Sequence, residues 1–360
     1  MMLKKENFTE EHIRMLQRES RRDPALLERT IYAFGLLEAI ALAGLPFVFK
    51  GGTCLMLLLK EPHRLSTDID IIVEPGTDID AYIEKAANIF PFLRQEEQKR
   101  VGCNNIEKRH FKFTYDSPVN GKEFYILLDV LFEQPQYVRT IQKEIRNDLL
   151  LAEPDYTMVT IPSIECILGD KLTAFAPHTT GIPLHIGKDM EVMKQLYDIS
   201  TLLDEFQSFA DVRDTYRKVA VIEIAYRGQQ MAIEDCLLDT FRASLCIASR
   251  GKFLPEEYSL YLKGIHNLRG HIYSEKYTSE VAVGRAAKTA YMSICLLQDI
   301  PYEAVDDFHG FAMEKLIHPE LSVVRYLHKA SPEAYAYMIK VDRLLDGAMK
   351  NIRECCKNEV

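Results

Sequence analysis

One stretch near the N-terminus constrains the fold more than any other, because it joins two short apolar runs through a pair of glycines. The run 47–49 predicts a strand, and the pair Gly51-Gly52 that follows opens a short apolar helix. The chain then returns in a second predicted strand that carries Asp68 and Asp70. This order predicts a strand–helix–strand unit with two carboxylates on its second strand.

The two carboxylates are spaced for a shared role. Side chains two residues apart in a strand face the same side, so Asp68 and Asp70 point one way and Ile69 points the other. Two like charges at that spacing repel each other unless a cation lies between them. A divalent metal beside a glycine-rich turn of backbone N–H groups is suited to a nucleoside triphosphate (NTP). The stretch therefore predicts a nucleotide site with a bound metal.

A third carboxylate, Asp129, lies within the apolar run 124–132, which predicts a central strand. Burying an ionised carboxylate without a partner costs several kcal/mol, so an aspartate there is usually paired or bound to metal. One interpretation is an aspartate at a strand end that caps a loop or pairs with an arginine. The other is that Asp129 lies beside Asp68 and Asp70 and completes a metal site of three carboxylates.

The remaining pattern indicates the α+β class. Helices are predicted over residues 9–20, 24–43 and 79–90, and strands over 47–49, 68–73 and 124–132. Asp23 is the expected N-cap of the second helix, with proline at the first helical position. These elements predict a small mixed sheet with helices over it. From about residue 163 the pattern turns helical, and we predict no strand beyond residue 210.

The chain resembles the polymerase-beta-like nucleotidyltransferase superfamily in the ordered set that follows its first strand: Gly51-Gly52, Asp68-Ile69-Asp70 and Asp129. A narrower resemblance, to the AbiEii/AbiGii-type family, rests on two motifs: Lys50-Gly51-Gly52-Thr53 and Arg64-x-Ser66-x-Asp68-Ile69-Asp70. Members of that family are nucleotidyltransferase-like toxins of toxin–antitoxin and abortive phage-infection systems. The spacing between Gly52 and Asp68 is longer than in the superfamily at large and suits this family.

The resemblance extends to two later helices and covers about residues 47–200. Asp170-Lys171-Leu172-Thr173-Ala174 is similar to the family's Lys-Leu-x-Ala helix, and Lys194-Gln195-Leu196-Tyr197-Asp198-Ile199 is similar to its Lys-Asp-x-x-Asp-Leu helix. Gln195 stands where the family often has an acid, whereas Asp198 keeps its place. The resemblance implies a nucleotidyltransferase domain with N-terminal helices over residues 1–205, followed by an all-α domain over 206–360.

The expected site residues fall into three overlapping groups. The expected metal ligands are Asp68, Asp70 and Asp129, and the expected catalytic residues are these three and Asp198. The expected nucleotide-binding residues are Lys50, Gly51, Gly52, Thr53, Arg64, Ser66, Lys171 and Lys194. The Gly51-Gly52 backbone can approach phosphate closely, and N–H groups at a helix N-terminus favour anions.

Plain structural roles compete with these assignments near the glycines. Thr53 either donates its hydroxyl to a phosphate oxygen or serves as a helix N-cap. Ser66 either fixes the carboxylates through hydrogen bonds or caps the loop before the acidic strand. Lys50, at the junction of strand and turn, either reaches phosphate or faces solvent.

The same holds for the two later helices. Lys171 and Lys194 either neutralise triphosphate charge or lie as ordinary lysines on amphipathic helices. Asp198 either forms a plain salt bridge with a lysine or takes the proton from the acceptor. The short basic run 108–110 either borders a nucleic-acid groove or is a solvated face.

Composition limits the partners and the compartment. The net charge of −9 argues against a surface coated with basic residues, but it is compatible with RNA held in a restricted channel. No apolar run is long enough to span a membrane, and no secretory signal is recognisable. The eight cysteines include no CxxC pair, which indicates a reduced protein. We expect a cytoplasmic protein that does not contact a membrane.

The residues and the resemblance together predict an enzyme, a Mg²⁺-dependent nucleotidyltransferase that moves a nucleotide from an NTP to an acceptor. The resemblance implies an RNA acceptor such as tRNA, a toxin role, and a separate antitoxin protein. One alternative is a nucleotide-binding module whose bound NTP alters a partner without transfer. Another is a transferase that acts on a protein or on a small molecule.

Overall fold

The structure is a computed structural model that describes residues 2–98, 107–228 and 230–357, and only the backbone of residues 346–357. The chain divides into two compact units, Met1–Ser163 with Gly270–Lys276, and Ile164–Arg269 with Tyr277–Val360. The predicted domains are 1–205 and 206–360, so residues 164–205 belong to the first predicted domain but to the second compact unit. The domain assignment stays a prediction.

The first unit contains both helices and strands. Its helices are α1 (Glu10–Ser20), α2 (Pro24–Ala43), α3 (Gly51–Leu58) and α4 (Asp80–Ala87), with a short 3₁₀ turn at Lys5–Phe8. Its strands are β1 (Val48–Lys50), β2 (Ile69–Val73), β3 (Arg94–Glu97), β4 (Lys108–Asp116), β5 (Glu123–Phe132), β6 (Thr140–Glu144) and β7 (Met158–Pro162).

The strands of the first unit form one mixed sheet and one hairpin. The sheet has the order β1-β2-β5-β4-β3, and β6 pairs with β7 separately. The β2–β5 pair is parallel, whereas the β1–β2, β4–β5 and β3–β4 pairs are antiparallel. The prediction of an α+β fold with a small mixed sheet is confirmed. The parallel pair brings two distant segments of the chain into register.

Helix α2 supports the sheet from its buried face. Asp23 caps it as predicted, accepting a hydrogen bond from the Leu26 N–H at 3.0 Å. Two glutamates on α2 are buried and accept hydrogen bonds from elsewhere in the unit. Glu28 accepts from the Tyr115 hydroxyl at 3.0 Å, and Glu38 accepts from the Thr157 hydroxyl at 2.8 Å. These bonds satisfy charges that would otherwise oppose burial.

Helix α4 is shorter than predicted. The pattern predicts a helix over 79–90, but α4 ends at Ala87. Pro91 follows Phe90, and a residue before proline is disfavoured in the α region by contact with the proline ring. The helix therefore ends before the Phe90-Pro91 pair.

The second unit is helical. Its helices are α5 (Ile164–Ala174), α6 (Asp189–Leu202), α7 (Phe209–Arg227), α8 (Ile233–Ala248), α9 (Pro255–Leu268), α10 (Ser279–Gln298), α11 (Leu327–Ala330) and α12 (Pro332–Lys357). Two 3₁₀ turns lie at Phe308–Phe311 and Pro319–Val324. The described residues of this unit form no strand, as predicted for the chain beyond residue 210. Across the described residues, no helix combines the length and apolar character needed to cross a lipid bilayer.

Candidate active site

A row of polar side chains crosses four neighbouring strands on one face of the sheet. Lys50 on β1 is the Cα partner of Asp70 on β2, and Asp70 is the partner of Asp129 on β5. Asp129 is in turn the partner of His110 on β4. Residues paired across strands project to the same face of a sheet. We call these four residues the polar row.

Asp68 joins the same face one residue before β2 begins. It precedes Asp70 by two residues, so the period of an extended chain places both on one side. Between and beyond them, Ile69 and Ile71 are 0% and 1% exposed, whereas the Asp68 side chain is 46% exposed. The predicted alternation is confirmed, with isoleucines in the core and carboxylates on the open face.

Neighbouring side chains contact the carboxylates of Asp129 and Asp68. His110 Nδ1 lies 2.6 Å from Asp129 Oδ1, a hydrogen bond in which the protonated ring nitrogen donates. Asp68 Oδ1 lies 3.7 Å from Arg29 Nη2 and 3.5 Å from the hydroxyl of Thr67. The carboxylate of the central strand thus has a histidine as a close partner, supplied by the neighbouring strand of the same row.

The donor chemistry of the three carboxylates suits Mg²⁺, which prefers oxygen ligands. Asp70 and Asp129 are adjacent in register, and Asp68 shares their face. Within the part of the chain that the structure describes, no three His, Cys, Asp or Glu side chains are gathered closely enough to hold a metal ion. The backbone places all three carboxylates on one face, which fits a Mg²⁺ site. The carboxylate side chains would have to draw closer together to coordinate one ion.

Gly51 is the first residue of α3 and lies in direct contact with Asp70 of the polar row. Its φ of +83° lies in the left-handed region that favours glycine. A Cβ at this position would collide with Asp70 Oδ2. The first turn of α3, whose N–H groups lack helical acceptors, therefore lies beside the carboxylates.

Gly52 is equally confined, by the loop that leads into β2. A Cβ on Gly52 would lie 2.5 Å from Arg64 Nη2 and 2.8 Å from Ser66 Oγ. Arg64 is only 6% exposed, and its Nη1 donates to the Leu65 carbonyl at 3.4 Å. The Leu65 N–H donates to the His271 carbonyl at 2.7 Å and so ties this loop to the rest of the first unit. Arg64 and Ser66 thus lie at the same helix end as the two glycines.

Thr53 and Lys50 take different positions around that helix end. Lys50, not Thr53, is the N-cap residue of α3, so the N-cap alternative for Thr53 is wrong. Thr53 is fully buried, and its hydroxyl donates to the Asp68 carbonyl at 2.7 Å. This bond ties α3 to the chain that carries the carboxylates. The Lys50 ammonium lies 5.9 Å from the centre of the Tyr137 ring.

The motifs that surround this site define a family. A family model described as the nucleotidyl transferase AbiEii toxin of a type IV toxin–antitoxin system matches residues 35–271, more than half of the chain. The chain belongs to the AbiEii family. The matched range includes the polar row, the glycine pair and the helices α5 and α6. The protein is therefore a nucleotidyltransferase of the α+β class in a type IV toxin–antitoxin context.

Two solved structures resemble this AbiEii protein at low sequence identity. JHP933 from Helicobacter pylori is 15% identical with a TM-score of 0.43, over 76% of this chain and 94% of that chain. An antigenic nucleotidyltransferase-like protein from Paracoccidioides brasiliensis is 15% identical with a TM-score of 0.35, over 55% of this chain and 93% of that chain. A comparison with curated protein sequences found no match. The assignment to the AbiEii family rests on the family model.

The remaining predicted site residues lie in the second unit. Lys171 on α5 and Asp198 on α6 form an ion pair of 2.8 Å, with side chains 10% and 1% exposed. Lys171 Nζ also donates to Gln195 Oε1 at 3.2 Å. Lys194 pairs with Glu191, one turn earlier, at 2.9 Å. The salt-bridge alternative for Asp198 is confirmed, and Lys194 has an acidic partner on its own helix.

Two residues at the site are not identified by any sequence motif. His110 is visible in the sequence only as part of the basic run 108–110, and Arg29 only as a polar position of a long helix. The alternation of Phe111, Phe113 and Tyr115 does place His110 on the face opposite the core. Its pairing with a carboxylate on another strand depends on the register, which the sequence does not contain.

Proposed function

We propose that the protein transfers a nucleotide from an NTP to an RNA acceptor such as tRNA, with Mg²⁺ as cofactor. As the toxin of its system it would act in the cytoplasm and be neutralised by a separate antitoxin protein. The observation that carries the proposal is the contact between the glycine turn at Gly51 and Asp70, in register with Asp129. A phosphate cradle and paired carboxylates side by side are what nucleotidyl transfer requires.

The start of α3 would bind the triphosphate. The N–H groups of its first turn lack helical acceptors and favour an anion, and the absence of a Cβ at Gly51 lets Asp70 lie against this helix end. Arg64 and Ser66 lie against Gly52 and supply a guanidinium and a hydroxyl at the same helix end. Lys50 adds a positive charge from the end of β1. Thr53 would contribute its N–H group, because its hydroxyl proton is donated to the Asp68 carbonyl.

The residues that would hold Mg²⁺ are Asp68, Asp70 and Asp129. When bound, the ion supplies positive charge that offsets the triphosphate and lowers the pKa of an acceptor hydroxyl. His110 would keep Asp129 Oδ1 in place through its hydrogen bond. In the reaction the acceptor oxygen forms a bond to the α-phosphorus, and the bond from that phosphorus to the bridging oxygen breaks. Pyrophosphate leaves, and the hydroxyl proton goes to a carboxylate of the polar row.

Lys171 and Lys194 stay proposed as residues that offset triphosphate charge. The buried pair with Asp198 fixes the direction of the Lys171 side chain, so Asp198 would act by positioning that lysine. A long lysine side chain loses less freedom on binding phosphate when a neighbour already holds it. Lys194 would exchange its exposed partner Glu191 for phosphate.

The test uses the purified protein, Mg²⁺ and each α-labelled NTP in turn, incubated with total cellular RNA and, separately, with protein extract. Asp70→Asn keeps the shape of the side chain and removes its charge. Asp78→Asn is the matched control, because Asp78 is exposed in the turn after β2. We expect labelled RNA with the wild type and with the control, and none with Asp70→Asn.

The other outcomes separate the alternatives. Label on protein, with none on RNA, would support the chemistry and refute the RNA acceptor. Saturable NTP binding without label on RNA, protein or small molecules would refute transfer and favour the nucleotide-binding module. Equal labelling of RNA by Asp70→Asn and the wild type would show that the polar row is not the catalytic centre.

A further inference from the structure

A groove in the second unit combines an apolar lining with positive charge. Its volume of about 880 Å³ lies within the range of ligand-binding clefts. Its lining residues lie between 312 and 335, after α10 and up to the first turn of α12. We call it the basic groove, and its lining includes Met313, Lys315, Leu316, Arg325, Lys329 and Tyr335. The proposed transfer reaction uses none of these residues.

Aliphatic side chains protrude at the basic groove. Met313, which lines it, is 92% exposed, and Ile317 on the same segment is 80% exposed. Leu316, between them in the chain, is buried in the lining. Single exposed apolar residues are normal, but two on one short segment beside a groove are typical of a protein-binding surface. Methionine suits such a surface because its flexible thioether side chain adapts to the partner.

Hydrogen bonds to one buried carboxylate hold the segment 312–318 in place. Asp342 on α12 accepts from the N–H groups of Ile317 and His318, at 2.8 and 3.0 Å. The Nδ1 atom of His318 lies 2.9 Å from the same carboxylate. A surface that is ordered before binding loses less conformational entropy when a partner docks. The segment therefore presents its exposed side chains in a fixed position.

The charges of the basic groove favour an acidic ligand. Lys315, Arg325 and Lys329 are exposed, and within the described part of the chain none of them forms an ion pair. Glu314, the acidic residue of the lining, is paired with Arg343 at 2.6 Å. The groove is therefore positive in a chain whose net charge is −9. Complementary charge steers an acidic partner to such a surface.

Two features favour an acidic helix over other acidic ligands. RNA gains little from Met313 and Ile317, because aliphatic side chains neither stack on bases as aromatic rings do nor pair with phosphate. An extended peptide gains affinity from a sheet edge through backbone hydrogen bonds, and the described residues of the second unit form no strand. A helix satisfies its own backbone and presents one apolar face with carboxylates beside it.

We propose that the basic groove docks an acidic amphipathic helix of a partner protein. Apolar side chains of this helix cover Met313 and Leu316, and its carboxylates pair with Lys315, Arg325 and Lys329. Burial of the methionine removes apolar surface from water, and the complementary charges fix the orientation of the helix. This interaction surface goes beyond the proposed nucleotidyl transfer and does not depend on it.

Peptide selection tests the chemistry of the partner directly. A phage-displayed library of random peptides of about 16 residues, enough for about four helical turns, is panned on the immobilised full-length protein. The most enriched peptide is synthesised with fluorescein, and its binding is measured by anisotropy across a series of salt concentrations. Met313→Ser removes the protruding apolar side chain, and Lys329→Gln removes one cation. Met158→Ser and Lys218→Gln are the matched controls, because both residues are exposed and neither lines the groove.

We expect the enriched peptides to carry apolar residues at helical spacing with aspartate or glutamate beside them. Met313→Ser should bind the most enriched peptide about tenfold more weakly, through the loss of apolar burial. Lys329→Gln should bind it about threefold more weakly and with a smaller dependence on salt. Both control variants should bind like the wild type. All four variants should keep the urea unfolding midpoint of the wild type, because the replaced side chains are exposed.

Three other outcomes would overturn the proposal. Enriched peptides without acidic residues, or peptides that bind Met313→Ser and Lys329→Gln as tightly as the wild type, would show that the groove does not dock an acidic helix. Tighter binding of a short single-stranded RNA, weakened by Lys329→Gln but not by Met313→Ser, would assign the groove to RNA. A wild-type dimer in sedimentation that Met313→Ser dissociates would assign it to a second copy of this chain.

Discussion

Replacing Gly51 with alanine tests how closely α3 is fitted against the carboxylates. A residue with a Cβ at a φ of +83° costs about 1–2 kcal/mol in the folded state. The same Cβ collides with Asp70 Oδ2, and relieving such an overlap costs about 1–3 kcal/mol more. We expect Gly51→Ala to lower the free energy of unfolding by about 2–5 kcal/mol, the sum of the two costs. Nucleotide transfer should be lost as well, because Asp70 must move.

Gly76→Ala is the control that isolates the contact with Asp70. Gly76 has nearly the same φ, +81°, but a Cβ there would meet no atom within 4 Å. It should lower the free energy of unfolding by only about 1–2 kcal/mol and leave transfer unchanged. Urea unfolding and label incorporation into RNA measure the two effects. If both variants lose the same stability and both keep full transfer, Gly51 is not fitted against a catalytic carboxylate and the reasoning is refuted.

Three further predictions concern individual side chains. His110→Phe should reduce transfer by about tenfold to a hundredfold through loss of the bond to the central carboxylate, and His110→Asn should recover part of it in the label assay. Asp198→Ala should lower the free energy of unfolding in urea by about 3–5 kcal/mol, because it leaves the Lys171 charge buried, and a smaller loss on adding Lys171→Met would support that cause. Hydrogen bonds that the His178 ring donates to the carboxylates of Asp239 and Glu257 raise the pKa of His178 from 6.5 to about 10. Because the folded-state pKa is the higher one, this stabilisation is complete below pH 6.5 and is lost as the pH rises through about 10, so the stability difference from His178→Gln should shrink across that window. A difference independent of pH would contradict this last prediction.

Local chemistry made much of the fold predictable. Asp23 followed by proline predicts the start of α2, and the structure shows the predicted cap. The alternation around Asp68 and Asp70 predicts which side chains are buried. In a strand with one buried face, a shift by one residue would expose the isoleucines and bury the carboxylates. Apolar periodicity predicts too late an end for α4, because it continues into residues that the following proline keeps out of the helix.

The site was predictable only in its parts. The sequence shows that Asp70 and Asp129 both lie on strands, but their pairing in a parallel register is a long-range choice made by packing. The positions of His110 and Arg29 follow from that choice and from the approach of α2, so no local pattern could identify them. The burial of Thr53, with its hydroxyl bonded to the Asp68 carbonyl, is likewise a consequence of how α3 meets the following strand.

Pyrophosphate release that depends on RNA is the direct signature of nucleotide transfer at the polar row. The protein is mixed with Mg²⁺, one NTP and RNA, and both pyrophosphate and nucleotide added to RNA 3′ ends are quantified for the wild type, Asp70→Asn and Asp129→Asn. Nucleotidyl transfer at the polar row predicts equal amounts of the two products with the wild type, and neither product with the two variants or without RNA. Pyrophosphate formed at the same rate without RNA, or by either variant, would contradict nucleotidyl transfer at the polar row.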